Sequence, residues 1–183
     1  MADARREAPP VPETGWLRLL PPATRWVFHG PSAARSIAAA AWGVPFSAEA
    51  CRAGTAAARS VLWLGPEEYL LIAPDTADER AAIGALEAAL QGVPHALVDI
   101  SHRQLALEVQ GAHAPALLNS SCPLDLDLAA FPVGMCTRTV FAKADIVLWR
   151  TRPDAFHLEV WRSFTDYVTG ILAEVAKEFS NPV

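Results

Sequence analysis

Residues 60–90, SVLWLGPEEYLLIAPDTADERAAIGALEAAL, contain the pattern that decides the fold. Residues 60–64 and 69–73 are two apolar runs with the length and composition of β-strands. They flank Gly65-Pro66-Glu67-Glu68, and a proline-centred sequence of this kind is typical of a tight turn. The stretch therefore predicts a β-hairpin.

A helix is predicted directly after this hairpin. Thr76 and Glu79 have the spacing of a capping box, in which two side chains satisfy free backbone N–H groups of the first helical turn. Gly92 and Pro94 then supply a helix stop. The apolar side chains that share one face of this helix are Ile83, Leu86 and Leu90.

A shorter strand and helix precede this hairpin, and the same pair recurs later in the chain. Residues 26–29 have a strand pattern, and Gly30-Pro31-Ser32 opens an alanine-rich helix, because proline is favoured in the first helical turn. Residues 104–109 alternate polar and apolar side chains as a strand does. Residues 111–115 again place a proline at the start of the next helix.

A second hairpin and helix complete the repeat. Residues 146–149 and 156–160 flank Thr151-Arg152-Pro153-Asp154, which has turn chemistry. Ser163 and Asp166 have the spacing of a helix cap. The residues predicted to line the apolar stripe of this last helix are Phe164, Val168, Ile171, Leu172, Val175 and Phe179.

Each half thus follows the order strand, helix, hairpin, helix, at an offset of roughly 80 to 90 residues. This predicts a duplicated α/β (α+β) fold whose mainly antiparallel sheets are covered by helices. We expect residues 1–15 to form a flexible N-terminal arm and residues 16–183 a single globular domain. Its two pseudo-repeats would span about residues 16–94 and 95–180. If the repeats intertwine in one domain, residues 17–20 and 96–100 would be matching lead-in strands.

Composition excludes several classes of partner. The net charge of −5 gives no basic excess for nucleic acid or anionic membranes. No apolar run reaches the roughly 18 to 20 residues that span a bilayer. The apolar share of 52% reflects either an alanine-rich core or a large surface covered by a partner.

The termini and the cysteines indicate where the protein works. The charged, proline-rich first fifteen residues lack the apolar stretch of a secretory signal. Three cysteines, with no close pair among them, are typical of a reducing compartment. We therefore expect a soluble cytoplasmic protein.

One short segment contains an acid, a hydroxyl and an imidazole. The residue types of a nucleophilic triad are present in Asp99, Ser101 and His102. On an extended backbone, however, His102 points to the opposite side from Asp99 and Ser101, so the three cannot form a hydrogen-bonded relay. We expect Asp99 and Ser101 to bond backbone groups at a strand end instead. The histidines and cysteines lack metal-ligand spacing, and no glycine-rich phosphate loop occurs, so no metal or nucleotide site is predicted.

An acidic run offers a second candidate. Residues 124–128, LDLDL, would place both carboxylates on one face of an extended backbone. Such a pair suits acid–base work, a solvated edge, or a contact with an arginine of a neighbouring chain, and the second and third roles are the commoner ones.

The strand predicted at residues 156–160 is a candidate for a protein interface. Its alternation assigns Phe156, Leu158 and Val160 to the core. The opposite face then carries His157, Glu159 and Trp161, and the tryptophan has no evident packing partner there. Tryptophan and arginine are enriched at binding hot spots. Packing inside the molecule and contact with a partner both remain open, and loss of assembly in Trp161→Ala would favour the second. The partner-interface candidates are Trp149, Arg150, His157, Trp161 and Arg162.

Five segments carry family resemblances. Residues 63–71, WLGPEEYLL, and 98–103, VDISHR, resemble the folate-binding aminomethyltransferase superfamily, which includes the glycine-cleavage T protein. Residues 122–127, CPLDLD, with 134–139, GMCTRT, and 160–164, VWRSF, are similar to the gamma subunit family of heterotetrameric sarcosine oxidase. The resemblance covers roughly residues 17–172.

The resemblance implies a non-catalytic structural subunit of a complex that oxidatively demethylates sarcosine to glycine. Its partners would be the alpha, beta and delta subunits. FAD, FMN, NAD and tetrahydrofolate would bind to the larger subunits and no cofactor to this chain. The T protein's Asn-x-x-Gly-Gly-x-x-Asp-Asp region is replaced by residues 141–147, FAKADIV, where Asp145 stands alone, so aminomethyl transfer is not carried over.

Two rival functions belong to other classes. A freestanding folate-binding or one-carbon-transfer protein would bind tetrahydrofolate tightly as an isolated chain. A hydrolase built on Ser101 and His102 would show an activity that Ser101→Ala abolishes.

Overall fold

The computed structural model describes residues 14–180, so most of the predicted arm at residues 1–15 lies outside the described residues. The strands are β1 (Leu17–Leu19), β2 (Ala23–His29), β3 (Ala53–Ala56), β4 (Arg59–Gly65), β5 (Glu68–Pro74), β6 (Ala96–Asp99), β7 (Gln104–Gln110), β8 (Cys136–Phe141), β9 (Ala144–Arg152) and β10 (Ala155–Trp161). The helices are α1 (Ser32–Trp42), α2 (Ala77–Ala89), α3 (Ala114–Asn119) and α4 (Thr165–Ser180), and a 3-10 turn (Arg162–Phe164) precedes α4. Among the described residues, no helix is long and apolar enough to cross a bilayer.

The strands form two five-stranded sheets with the orders β1-β7-β10-β9-β8 and β3-β4-β5-β2-β6. The pairs β1–β7, β7–β10 and β9–β10 of the first sheet are antiparallel, as are all four pairs of the second. Both predicted hairpins are present, with Pro66-Glu67 joining β4 to β5 and Pro153-Asp154 joining β9 to β10. The predicted α/β fold with mainly antiparallel sheets is confirmed.

The two short lead-in strands are exchanged between the sheets. Leu17 of β1 pairs with Val109 of β7, which lies in the second half of the sequence. Asp99 of β6 pairs with Trp26 of β2, which lies in the first half. Each sheet therefore takes one edge strand from the other half of the sequence.

The chain divides into two compact units whose bounds follow this exchange. Among the described residues, unit 1 contains residues 14–20, 102–133 and 138–180, and unit 2 contains Pro21–Ser101 and Gly134–Thr137. Because β1 leaves the first half and β6 leaves the second, the units do not have the bounds of the predicted pseudo-repeats, and the duplication stays a prediction.

Unit 2 has an aromatic centre beneath its sheet. Phe28, Phe46 and Tyr69 form a cluster with ring centroids 5.1 to 6.3 Å apart. Thr76 accepts a hydrogen bond from the Glu79 amide at 3.3 Å, which confirms the Thr76 half of the predicted capping box of α2. The Glu79 carboxylate accepts from Arg59 Nε instead, at 2.6 Å. The apolar face predicted for this helix is also confirmed, since Ile83, Leu86 and Leu90 are all buried.

The last helix, in unit 1, differs from its prediction at its start and at two aromatic positions. Val168 and Leu172 are buried as expected, but Phe164 and Phe179 are both more than a third exposed. The predicted cap at Ser163 is wrong, because Ser163 lies in the 3-10 turn and the α-helix begins at Thr165. A 3-10 turn advances by a different angle per residue than an α-helix. Helical periodicity therefore misplaced Phe164.

Gly54 gives the first testable prediction. An alanine Cβ at this position would lie 2.0 Å from the carbonyl oxygen of Pro45, so the backbone would have to move. We expect Gly54→Ala to destabilise the protein by about 1 to 3 kcal/mol, measured by urea unfolding. The matched control is Gly84→Ala in α2, where nothing outside the adjacent helical backbone lies within 4 Å and alanine should stabilise the helix by about 0.5 to 1 kcal/mol. Equal effects at the two positions would contradict the close approach.

Candidate functional site

Strands β9 and β10 divide the five interface candidates between two faces of their sheet. Trp149 stands opposite His157 in the register, and Arg150 stands opposite Phe156. Residues directly opposite each other point to the same face, so Trp149 and His157 lie together, with ring centroids 5.6 Å apart. Trp161 follows His157 by four residues on the strand and shares its face. The structure therefore brings Trp149 and His157 together and separates them from Arg150.

Arg150 lies inside unit 1 with a side chain that is only 1% exposed. Its guanidinium donates hydrogen bonds to the carbonyl oxygens of Phe131 and Leu126 and lies 4.5 Å from the ring centroid of Phe156. Burial lowers the pKa of Arg150, while the nearby charge of Asp127 opposes this. The Arg150 side chain therefore holds the loop at residues 126–131 through hydrogen bonds inside unit 1.

His157 and Glu159 form a buried hydrogen-bonded pair. His157 Nε2 lies 2.8 Å from Glu159 Oε1, and the Glu159 side chain is fully buried. The sequence assigned both residues to the face opposite the core, and that alternation is observed. Both side chains are nevertheless buried, as are all residues from Ala155 to Val160. Neither face of this part of the strand is therefore open to solvent.

Trp161 is partly exposed and stacks on an arginine that the sequence analysis did not single out. The guanidinium carbon of Arg103 lies 3.9 Å from the Trp161 ring centroid. Arg162 is bound to the two residues that precede β7: its amide donates to the Arg103 carbonyl at 2.9 Å and its Nε donates to the His102 carbonyl at 3.3 Å. The tryptophan thus has a packing partner within unit 1.

Two exposed aromatic residues follow Trp161 in the chain. Phe164 is 37% exposed and Tyr167 is 39% exposed, and their rings meet edge to face at 6.3 Å. We call Arg103, Trp161, Phe164 and Tyr167 the Trp161 surface. Sequence reasoning missed Tyr167, although its spacing of three from Phe164 and six from Trp161 would have grouped these residues once the 3-10 turn was known.

The acidic run at residues 124–128 is not an extended strand. Asp125 Oδ1 accepts a hydrogen bond from the Asp127 amide at 2.9 Å, and Asp127 Oδ1 accepts one from the Ala129 amide at 2.8 Å. Both carboxylates therefore order turns of their own loop. They border an open cavity of about 460 Å³ that is also lined by Arg150.

Asp99 and Ser101 act at a strand end, as predicted. Asp99 Oδ1 accepts a hydrogen bond from the Ser101 amide at 2.8 Å. Ser101 Oγ accepts one from the Arg25 amide at 2.9 Å. The second of these hydrogen bonds joins the Ser101 hydroxyl to the backbone of β2.

Comparison with known proteins decides the family. A model of the "Sarcosine oxidase, gamma subunit family" matches residues 30–178. The chain belongs to this family. It is 38% identical over 130 residues to a sarcosine oxidase subunit gamma from Arthrobacter sp., covering 71% of this chain and 63% of that relative. It is 39% identical to the subunit of the same name from Corynebacterium sp. strain P-1, covering 72% and 64%.

The aligned part of this gamma-family chain thus spans less than two thirds of the length of these relatives. A solved structure covers more: heterotetrameric sarcosine oxidase from Corynebacterium sp. U-96, in complex with pyrrole 2-carboxylate, contains a chain 30% identical with a TM-score of 0.84. That match covers 91% of this chain and 86% of the solved one. The aminomethyltransferase T of the glycine cleavage system from Bartonella henselae, 15% identical with a TM-score of 0.63, covers 85% and 44% and shares the fold.

The cysteines of the gamma-family chain differ in their surroundings. Cys136 is fully buried, and its thiol donates to the Trp63 carbonyl at 3.6 Å. Burial raises the pKa of the Cys136 thiol to about 12, with a smaller contribution in the same direction from Cys51. Cys51 is partly exposed and Cys122 is buried. Among residues 14–180, no group of three or more histidine, cysteine or acidic side chains could hold a metal ion.

The raised pKa of Cys136 predicts a loss of stability at alkaline pH. The unfolded thiol ionises near its ordinary value of 9.0, whereas the folded thiol keeps its proton up to about pH 12. The unfolded state is therefore favoured as pH rises through this window, and the contribution of this group is constant below it. We expect the stability difference between the wild-type chain and Cys136→Ala to shrink between pH 8 and pH 10.5, measured by urea unfolding under reducing conditions. A constant difference over this range would contradict the prediction.

Proposed function

We propose that this chain is the gamma subunit of a heterotetrameric sarcosine oxidase, a complex that oxidatively demethylates sarcosine to glycine. The observation that carries the proposal is the match to the solved heterotetrameric enzyme, at a TM-score of 0.84 over 91% of this chain. This match extends over 86% of the solved chain, beyond the portion that the sequence relatives align. The proposed role is structural, and catalysis would take place on other subunits.

The proposed partners are the alpha, beta and delta subunits, and the proposed location is the cytoplasm. FAD, FMN, NAD and tetrahydrofolate would bind to the larger subunits. Membership of the gamma family supports this division of labour. The hydrogen bonds of Ser101 and Asp99 to backbone amides are compatible with it, because these polar groups serve strand ends and turns.

We further propose that the Trp161 surface contacts one of the larger subunits. Tryptophan, tyrosine and arginine dominate binding hot spots, and Phe164 and Tyr167 add exposed aromatic area beside the stacked pair of Arg103 and Trp161. Burial of an already stacked, pre-ordered pair costs little side-chain entropy on binding. Of the other candidates, Arg162 directly follows Trp161 in the chain, and Trp149 lies opposite His157 on the same face of the sheet. Arg150 and His157 would act from within, by ordering the sheet that carries it.

Co-expression with candidate alpha, beta and delta subunits tests the proposal directly. The expected result is a single assembly, purified through a tag on this chain, that shows flavin absorbance and sarcosine-dependent oxygen consumption. An isolated chain that fails to assemble, but saturates with tetrahydrofolate while its six tryptophans change fluorescence, would instead favour the freestanding folate-binding protein.

A further inference from the structure

Two of the three cysteines face each other across a short antiparallel contact inside unit 2. Arg52 and Met135 form an isolated bridge. The Ala53 amide donates to the Gly134 carbonyl and the Cys136 amide donates to the Cys51 carbonyl, both at 2.9 Å. This register places Cys51 directly opposite Cys136. Residues opposite each other in antiparallel pairs have Cα atoms about 4.5 to 5.5 Å apart, inside the range of about 4.4 to 6.8 Å that disulfides adopt.

The backbone at Cys51 is unusual for a residue with a side chain. Its φ is 59°, in the left-handed region. The other non-glycine residues with positive φ between residues 14 and 180 are Ala57 and Ala142, which lie in the β3–β4 and β8–β9 hairpin turns. Cys51 is in neither hairpin, and its carbonyl is held by the Cys136 amide. Strained backbone of this kind persists where the surrounding structure holds it and is concentrated at functional sites.

The two thiols differ in access. Cys51 is partly exposed, whereas Cys136 is fully buried. Burial raises the pKa of Cys136, and Cys51 adds to the rise, so the two thiols interact electrostatically. A small oxidant would therefore reach Cys51 first and Cys136 second.

We propose that Cys51 and Cys136 form a redox-active thiol pair that closes to a disulfide when a peroxide oxidises Cys51. The Cys51 sulfur attacks one oxygen of hydrogen peroxide and breaks the O–O bond. That oxygen stays on the sulfur as a sulfenic acid, and the other leaves as hydroxide, which the proton from the thiol converts to water. The Cys136 sulfur then attacks the Cys51 sulfur and displaces water. In sum, two thiols and one hydrogen peroxide give one disulfide and two waters. This inference goes beyond the proposed function and does not depend on it.

Closure would change the stability of unit 2. The disulfide would tie the segment Gly134–Thr137 to the strand region near Arg52, across a loop of more than eighty residues in sequence. Cross-links that close long loops restrict the unfolded chain most strongly. We expect the oxidised chain to melt about 5 °C or more above the reduced chain.

The test uses the full chain and hydrogen peroxide, with free thiols counted under denaturing conditions. We expect the count to fall from three to one and to return with dithiothreitol. Trypsin leaves Cys51 on residues 36–52 but both Cys122 and Cys136 on residues 104–138. The Cys122→Ser variant therefore identifies the bond, because a cross-link between these two peptides must then join Cys51 to Cys136.

Matched variants decide the result. Cys122→Ser should lose both remaining thiols, whereas Cys51→Ser and Cys136→Ser should form no intramolecular cross-link. Cys51 is partly exposed, so its replacement keeps the test informative even if Cys136→Ser folds poorly. Retention of all thiols in Cys122→Ser, or oxidation of Cys51 to a sulfinic acid with no cross-linked peptide, would overturn the proposal.

Discussion

Replacement of Arg150 by alanine is expected to destabilise the isolated chain by about 3 to 5 kcal/mol, the largest effect on stability that we predict. The guanidinium donates to the carbonyls of Phe131 and Leu126 and lies over the Phe156 ring. Without it, two carbonyl groups lose a charged donor and a cavity opens beneath the loop. The free energy of unfolding in urea, with the midpoint and the slope fitted together, gives the measurement.

Two further variants isolate the cause. Arg150→Lys keeps the charge but lacks the fork that reaches both carbonyls, so we expect it to lose about 1 to 3 kcal/mol. Arg152→Ala removes an arginine whose side chain is 51% exposed beside Glu108, and we expect a change below about 1 kcal/mol. If Arg150→Ala proves as mild as Arg152→Ala, the hydrogen bonds of Arg150 do not hold the loop.

Replacement of Trp161 by alanine is expected to weaken assembly with the larger subunits by about 2 to 4 kcal/mol, or roughly 30-fold to 1,000-fold in Kd. The indole stacks on Arg103 and is followed by the exposed pair Phe164 and Tyr167. A partner that covers this surface would exclude water from all four side chains. The dissociation constant of the reconstituted complex, measured by titration of the chain into the other subunits, provides the test.

Stability must be followed in parallel, because Trp161 is partly buried. Trp16→Ala serves as the control: it removes a tryptophan of the same unit that is likewise partly exposed and lies outside the Trp161 surface. Tyr167→Ala, with its side chain 39% exposed, should weaken assembly with little change in unfolding. Unaltered affinity in Trp161→Ala and Tyr167→Ala, with both proteins folded, would remove this surface from the interface.

Features set by neighbouring residues were predictable from the sequence. The Pro66-Glu67 and Pro153-Asp154 turns and the Thr76 cap depend on backbone preferences that act within a few residues. The strand alternation that separates Arg150 from Trp149 is similarly local. The sequence also contains short motifs that resemble the gamma family, and they indicated that family correctly.

Features set by distant residues were not predictable. Neither the buried position of Arg150 nor the stacking of Arg103 on Trp161 follows from sequence spacing, because their partners come from other elements. The pairing of Cys51 with Cys136 likewise joins positions that no sequence motif connects. Phe164 was assigned to a buried stripe because one 3-10 turn shifted the helical phase.

The sequence by itself determined the class of fold, the order of the two predicted hairpins and of the helices, and the family, because turn chemistry, caps and periodicity act over short distances. Strands β3 and β8 were not predicted. Tertiary structure alone decided which edge strand joined which sheet and which arginine was buried. It also decided which aromatic side chains stayed exposed. These outcomes depend on long-range strand pairing and on packing against residues far away in the chain, to which local preferences contribute no information.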